Sequence, residues 1–197
     1  MSTIALNLEP VLTLTREQFY QLCESNPKAK LERNVNGVLI VMAPTGGETS
    51  SYNAAMIANT YLWNQSQQRG KVFDSSGGFA LPNGADRSPD LAWITIEKWN
   101  ALSAEERRGF LPLCPDFAVE LLSPSDSWKQ GLIKMEEYRE NGCRLGWLLD
   151  PKKKRVAIYR SDRPVEILDN PVTLSGEDVL DGFVLNIAEL WSESNAD

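Results

Sequence analysis

An α/β fold, in which helices flank a mixed β-sheet entered through an N-terminal helix and hairpin, is what this chain of 197 residues predicts. Apolar runs of strand length, DLAWIT (90–95), DFAVELL (116–122) and CRLGWLLD (143–150), alternate with segments whose apolar residues recur every three or four positions. An Asn36-Gly37 pair between two apolar runs is the strongest hairpin signal in the chain. No internal repeat, low-complexity tract or linker interrupts residues 1–197, so one domain is expected.

The elements follow in order. Thr15 is a helix N-cap, with Gln18 three residues later completing a capping box before FYQLC, which predicts a short helix over about 15–25. LERNVNGVLIVMAP reads as two antiparallel strands joined at Asn36-Gly37. From Thr49 to about Gln67, Tyr52, Ala55, Met56, Asn59, Leu62 and Trp63 trace one buried helical face. KVFDSSGGFALP reads as a strand, a turn at Gly77-Gly78 and a second short strand closed by Pro82-Asn83-Gly84. A strand begins at Pro89-Asp90, and residues 97–115 form a polar surface connection with one helical turn. A buried strand over Asp116–Leu122 leads into helix-start chemistry at Pro124-Ser125-Asp126-Ser127. The helix carries the stripe Trp128, Leu132, Met135 and Tyr138 and ends near Asn141-Gly142. CRLGWLLD and RVAIYR are strands about a turn at Asp150-Pro151, and PVEILD with the Gly/Asp-rich end adds a short strand, a loop and a terminal helix around 187–191.

Composition removes several functions. The formal charge of −7 argues against broad adhesion to nucleic acid or anionic membranes, while leaving room for a local basic patch. No segment approaches the ~20 apolar residues of a membrane span, and MSTIALNLEP lacks the pattern of a secretory signal, so a soluble cytoplasmic protein is expected. Three widely spaced cysteines, Cys23, Cys114 and Cys143, fit reduced thiols. The absence of histidine excludes His-ligated zinc, Ser-His-Asp triads and imidazole acid/base chemistry. Ser123 and Ser125 therefore read as turn and cap residues. Lys152-Lys153-Lys154-Arg155 reads first as a charged hairpin turn, and Trp63, Trp128 and Trp147 as packing residues.

What remains is carboxylate chemistry. Asp90 opens one apolar strand and Glu120 lies inside another, and a carboxylate in such a setting is costly unless it is paired or binds a cation, so the two suggest a divalent metal site. Asp116 shares a strand face with Glu120 but lies ~13 Å away along it, too far to share an ion, and reads as a strand-start residue. Asp90 can meet Glu120 if their strands are neighbours, since adjacent strands lie ~5 Å apart. Lys134 falls just outside the apolar stripe of its helix, beside Tyr138, and can either send its ammonium back toward the sheet end or snorkel to solvent. For Glu120 the competing role is a salt bridge to Arg144 or a cap on SPSDS.

Pro89-Asp90 followed by Glu120 within a strand resembles the PD-(D/E)XK nuclease superfamily, which implies a restriction-endonuclease-like core, Asp and Glu binding Mg²⁺, and a lysine that positions or polarises the attacking water. The position two after Glu120 is Leu122 rather than lysine, and Lys134 on the following helix is the candidate substitute. More specifically, APTGGETSSYNA, FALPNGADRSPDLAWI, LCPDFAVELLSPSDSWKQGLIKMEEYRENGCRLGWLLDP and GEDVLDGFVLNI are similar to the bacterial Uma-two family, common in cyanobacteria. The resemblance also implies a helix-borne glutamate beside the metal, for which Glu48 is the candidate and Glu32 the alternative; Glu48 would otherwise only complement its helix dipole. The leading expectation is thus a Mg²⁺- or Mn²⁺-dependent DNA endonuclease, with Asp90, Glu120 and the backbone carbonyl of Leu121 or Leu122 on the metal. Two alternatives stand beside it: a homodimeric binding or regulatory module that keeps the fold without activity, and hydrolysis of a small phosphoester. Fold resemblance alone does not choose among them.

Overall fold

Local signals set most of the elements. The structure, a computed structural model, describes residues 4–6, 8, 12–188 and 191. After β1 (Ile4–Leu6), Thr15 caps α1 (Arg16–Ser25) with the reciprocal Thr15–Gln18 bonds of a capping box. Strands β2 (Lys30–Arg33) and β3 (Leu39–Met42) form the predicted antiparallel hairpin. Its turn needs Gly37 at φ +77°, where an added Cβ would lie 2.6 Å from Thr13 Cγ2. α2 (Gly47–Gln67) follows, then β4 (Gly70–Asp74), β5 (Phe79–Ala80), β6 (Asp86–Arg87), β7 (Leu91–Thr95) and α3 (Ile96–Ala101). The chain continues through β8 (Phe117–Leu121), α4 (Trp128–Glu140), β9 (Leu145–Asp150), β10 (Arg155–Arg160), β11 (Arg163–Asp169), β12 (Thr173–Ser175) and β13 (Val184–Asn186). Of the terminal helix expected around 187–191, residues 189 and 190 lie outside the described residues.

Among the described residues the strands form a six-stranded sheet in the order β11-β10-β9-β8-β7-β4, a five-stranded sheet β1-β3-β2-β6-β5, and the ribbon β12-β13. The expected mixed sheet is the six-stranded one, in which β8 and β9 run parallel while their neighbours pair antiparallel. The Gly77-Gly78 turn carries the chain from one sheet to the other, so β4 and β5 do not pair with each other.

Alternation along the central strands builds two cores, one on each face of the sheet. Leu91, Trp93, Phe117, Val119 and Leu121 pack with Tyr52 and Met56 of α2, whereas Ala92, Ile94, Ala118 and Leu148 pack with Met135 and Tyr138 of α4. One expectation for α2 fails. Its buried residues are Thr49, Tyr52, Met56 and Thr60, whereas Asn59 is exposed and Leu62 is 63% exposed. At ~100° per residue Leu62 lies roughly 130° round the helix from the centre of that stripe, outside the face that meets the sheet. No helix among the described residues is long and apolar enough to cross a membrane.

Candidate active site

Antiparallel pairing of β7 with β8, Leu91 opposite Val119 and Ala92 opposite Ala118, brings the residues just beyond this ladder, Asp90 and Glu120, opposite each other. Alternation sets both on the face covered by α4. Asp90 then ties the strands together, its Oδ2 accepting the Leu121 N–H at 2.9 Å, while Lys30 Nζ of β2 lies 3.6 Å from its Oδ1. The N–H and carbonyl of one strand residue leave the same strand edge, so the Leu121 carbonyl is on the Asp90 side of β8.

Lys134 enters from α4. Its Nζ stands 2.8 Å from Glu120 Oε1 and 2.8 Å from Glu32 Oε1, so the ammonium bridges the two carboxylates instead of reaching solvent. Tyr138, one turn further along α4, donates to Glu120 Oε1 at 3.0 Å. Leu122 packs in the core beneath α4, where a Cβ on Gly131 would lie 3.3 Å from Leu122 Cδ2 and 2.8 Å from Leu148 Cδ1. That space is filled by close helix–sheet packing.

Glu32, only 2% exposed, comes from the other sheet and has a full set of donors. Its Oε1 accepts from Ser88 N–H (2.9 Å) and Lys134, and its Oε2 from Arg87 Nη1 (3.1 Å); Arg87 also donates to Glu137 Oε2 through Nε (2.6 Å). Burial alone would push Glu32 up, but Lys134 and Arg87 outweigh it and hold its carboxyl down at about 2. Burial acts the same way on Glu120, where Lys134 is opposed by the nearby Asp90 and Glu32, and the carboxyl is pushed up to about 7. For Lys134, burial favours the neutral amine, yet Glu120 and Glu32 prevail and keep it protonated above its ordinary range. Among the described residues no hydrogen bond falls on Glu120 Oε2, and Asp90 Oδ1 has only the distant Lys30.

A family described as "Uma2: Putative restriction endonuclease" matches residues 16–188. The chain belongs to the Uma2 family. The crystal structure of "a putative nuclease belonging to DUF820" from Anabaena variabilis ATCC 29413 is similar to this Uma2 chain with a TM-score of 0.75 and 23% identity, covering 91% of this chain and 98% of that one. That likeness establishes the fold. No curated protein matches the chain. The Uma-two resemblance carried by the sequence motifs is therefore borne out.

Of the residues singled out from the sequence, the structure brings Asp90, Glu120, Leu121 and Lys134 together. It does not add Glu48, which is exposed in the first turn of α2; the glutamate that meets Lys134 is Glu32, the alternative. Asp116 is a structural residue, as expected: its carboxylate accepts from Thr95 N–H at 3.0 Å and pairs with Lys98 at 2.9 Å. Neither competing role for Glu120 holds, since Arg144 pairs with Asp178 and Asp126 caps Ser123 N–H. The sequence reading missed Arg87 and the polar role of Tyr138. Their signals were adjacency to Pro89-Asp90 and the i,i+4 spacing from Lys134 on one helix face. The cysteines are free thiols, and burial pushes Cys114 up to about 12, away from nucleophilic use.

Proposed function

We propose that this Uma2 chain is a divalent-metal-dependent endonuclease that hydrolyses phosphodiester bonds in DNA, acting in the cytoplasm as a homodimer. The carrying observation is the meeting of Asp90 and Glu120 across β7 and β8 with the Lys134 ammonium beside them.

The donor set fits Mg²⁺ or Mn²⁺. Among the described residues no three His, Cys, Asp or Glu side chains form a ready-made cage. Mg²⁺ commonly takes only one or two carboxylates and keeps several waters. Asp90 Oδ1, Glu120 Oε2 and the Leu121 carbonyl are hard oxygens with capacity to spare, and they would hold the ion. When bound, it supplies Lewis-acid polarisation of the phosphoryl oxygen and a more acidic water. Lys134, held protonated by its two carboxylates, acts as a hydrogen-bond donor that orients the nucleophile and offsets phosphoryl charge, not as a general base. Glu32, fixed by Arg87 and Ser88 N–H, anchors Lys134.

The test is incubation of supercoiled and single-stranded DNA with the protein in Mg²⁺ or Mn²⁺ at low salt. Wild type is expected to nick the plasmid, and the Asp90→Ala/Glu120→Ala protein to lose at least ~10²-fold in rate. No cleavage in either metal would reject the nuclease. That result would favour a second reading, a homodimeric binding module retaining the fold, for which Leu122 at the usual lysine position is the supporting observation.

A further inference from the structure

The sequence presents Lys152-Lys153-Lys154-Arg155 as a charged turn, and the structure brings that turn out at the same end of the sheet as the candidate site. Because β8 and β9 are parallel neighbours in register, Leu121 opposite Leu149, the segments that leave their C-terminal ends emerge from the same sheet edge. One is the loop into α4 that follows Glu120; the other is the 3₁₀ turn Pro151–Lys153. They are fastened together. The Arg155 guanidinium lies 4.0 Å from the ring centre of Trp128, the first residue of α4, which sets the basic turn next to Lys129. Ligands of open α/β sheets collect at this C-terminal edge.

The local charges do not cancel. Asp150 is committed: its Oδ1 caps Lys153 N–H at 3.1 Å and its Oδ2 pairs with Arg155 at 2.9 Å. Among the described residues, no ion pair engages the exposed side chains of Lys152, Lys153 or Lys129. In a chain of net charge −7, these cations are concentrated on the rim that also holds the Asp90–Glu120 pair. A positive rim around acidic metal ligands is the charge arrangement a polyanion requires if it is to approach them without repulsion.

We propose that Lys152, Lys153 and Lys129 form a phosphate-tracking rim that holds the backbone of duplex DNA against the carboxylate site. This inference rests on the nuclease reading for its choice of partner. The flexible, singly charged lysines suit contact with phosphate without base readout, so binding is independent of sequence and falls steeply with salt.

Fluorescence anisotropy with a labelled 20-base-pair duplex, in EDTA so that nothing is cleaved, tests it across a salt series. Lys152→Ala/Lys153→Ala is expected to weaken binding roughly tenfold and to lower the slope of log K against log salt by about 2, one for each lost phosphate contact. Lys129→Ala should lower it by about 1. Lys71→Ala serves as the control, because Lys71 pairs with Ile94 near the other end of β7, and it should leave the slope unchanged. Equal slopes in wild type and the rim variants would overturn the rim while leaving the nuclease open to its own cleavage test. Rim-dependent binding without cleavage in Mg²⁺ or Mn²⁺ would retain the rim and reject the nuclease. A wild-type protein that does not bind the duplex at low salt overturns the rim.

Discussion

Two clusters of buried charge are wired differently, one built around Asp86 of the five-stranded sheet and the other where Glu32 of that sheet meets Lys134 of α4 and Glu120 of the six-stranded sheet. Asp86 is fully buried, and both of its oxygens are saturated: Arg16 Nε (3.0 Å) and Tyr20 OH (3.4 Å) reach Oδ1, and Arg33 reaches Oδ2 through Nε (2.9 Å) and Nη2 (2.7 Å). Further guanidinium N–H groups go to the carbonyls of Leu14 and Gly84 from Arg33 and of Leu81 and Ala85 from Arg16. Such a cluster joins α1, β2 and β6 and has nothing left to offer a ligand. Around Lys134 the balance is reversed, since Glu32 and Glu120 share its one ammonium, only Glu32 of the two has a second cation, Arg87, and Asp90 has only Lys30 at 3.6 Å. Asp90 and Glu120 keep free acceptor capacity. The difference teaches that burial of charge alone does not mark a site. An excess of acceptors over donors does, because that excess is what an added cation would satisfy.

Substitution should break the two clusters in opposite ways, with the largest effect at Asp86. Asp86→Ala leaves Arg33 buried without its counter-charge and should cost about 3–5 kcal/mol, read as a fall in the urea midpoint. Glu120→Gln removes a charge that burial already disfavours, so the metal-free protein should be at least as stable as wild type. Equal losses at both positions would show that the second cluster is as structural as the first.

pH sharpens the same contrast at smaller amplitude. Burial, with Asp90 and Glu32 adding to it, raises the Glu120 carboxyl from an ordinary 4.5 to about 7 against the pull of Lys134, so the folded state holds this proton more tightly than the unfolded one. Its contribution to stability is complete below about pH 4.5 and is lost as pH rises through about 7. Glu32 behaves in the opposite sense. Its carboxyl is lowered to about 2, so its contribution is present above about pH 4.5 and disappears as pH falls toward 2. In EDTA, the protein should therefore lose on the order of 2 kcal/mol through Glu120 between pH 5 and pH 8. Urea melts at the two pH values check this, and Glu120→Gln should remove most of the decline. A wild-type slope that persists in the variant would assign the titration to another group.

How much of this was legible depended on whether a residue's role is local. Asp90 and Glu120 stand out because a carboxylate beside or within an apolar strand is unusual, and the Thr15–Gln18 box and the Asn36-Gly37 turn carry their geometry in a few adjacent residues. Glu32 was harder to read. It sits in KLER, where charges alternate with apolar residues as on a solvent-facing strand, and its burial depends on Arg87, 55 positions on, and Lys134, 102 positions on. Glu48 shows the converse, since it does begin a helix, but a favourable dipole does not determine what that helix end faces. Strand β6 escaped notice because Asp86-Arg87 has no apolar alternation; the sheet and the two ion clusters hold it in place. Leu62 fits a list of spacings, but the face α2 turns to the sheet is decided by packing.

The smallest expected effect makes the finest distinction within the acceptor-rich cluster. Tyr138 is fully buried, and its hydroxyl donates to the same Glu120 oxygen that Lys134 contacts, so both donors fall on Oε1 and Oε2 stays open. Tyr138→Phe keeps the ring in the core and removes only that bond, which should cost about 1 kcal/mol. If the hydroxyl merely stabilises the fold, the variant will show that loss and nothing else. If it orients Glu120, metal-dependent DNA cleavage should fall a few-fold at saturating DNA with little change in KM, and the apparent affinity for Mn²⁺ should weaken in calorimetry. Removing a donor from an ionised carboxylate also disfavours ionisation, so the rise of activity with pH should move to higher pH in the variant. A purely thermal effect, with calorimetry and pH profile unchanged, would place Tyr138 with the saturated, structural kind of contact that surrounds Asp86.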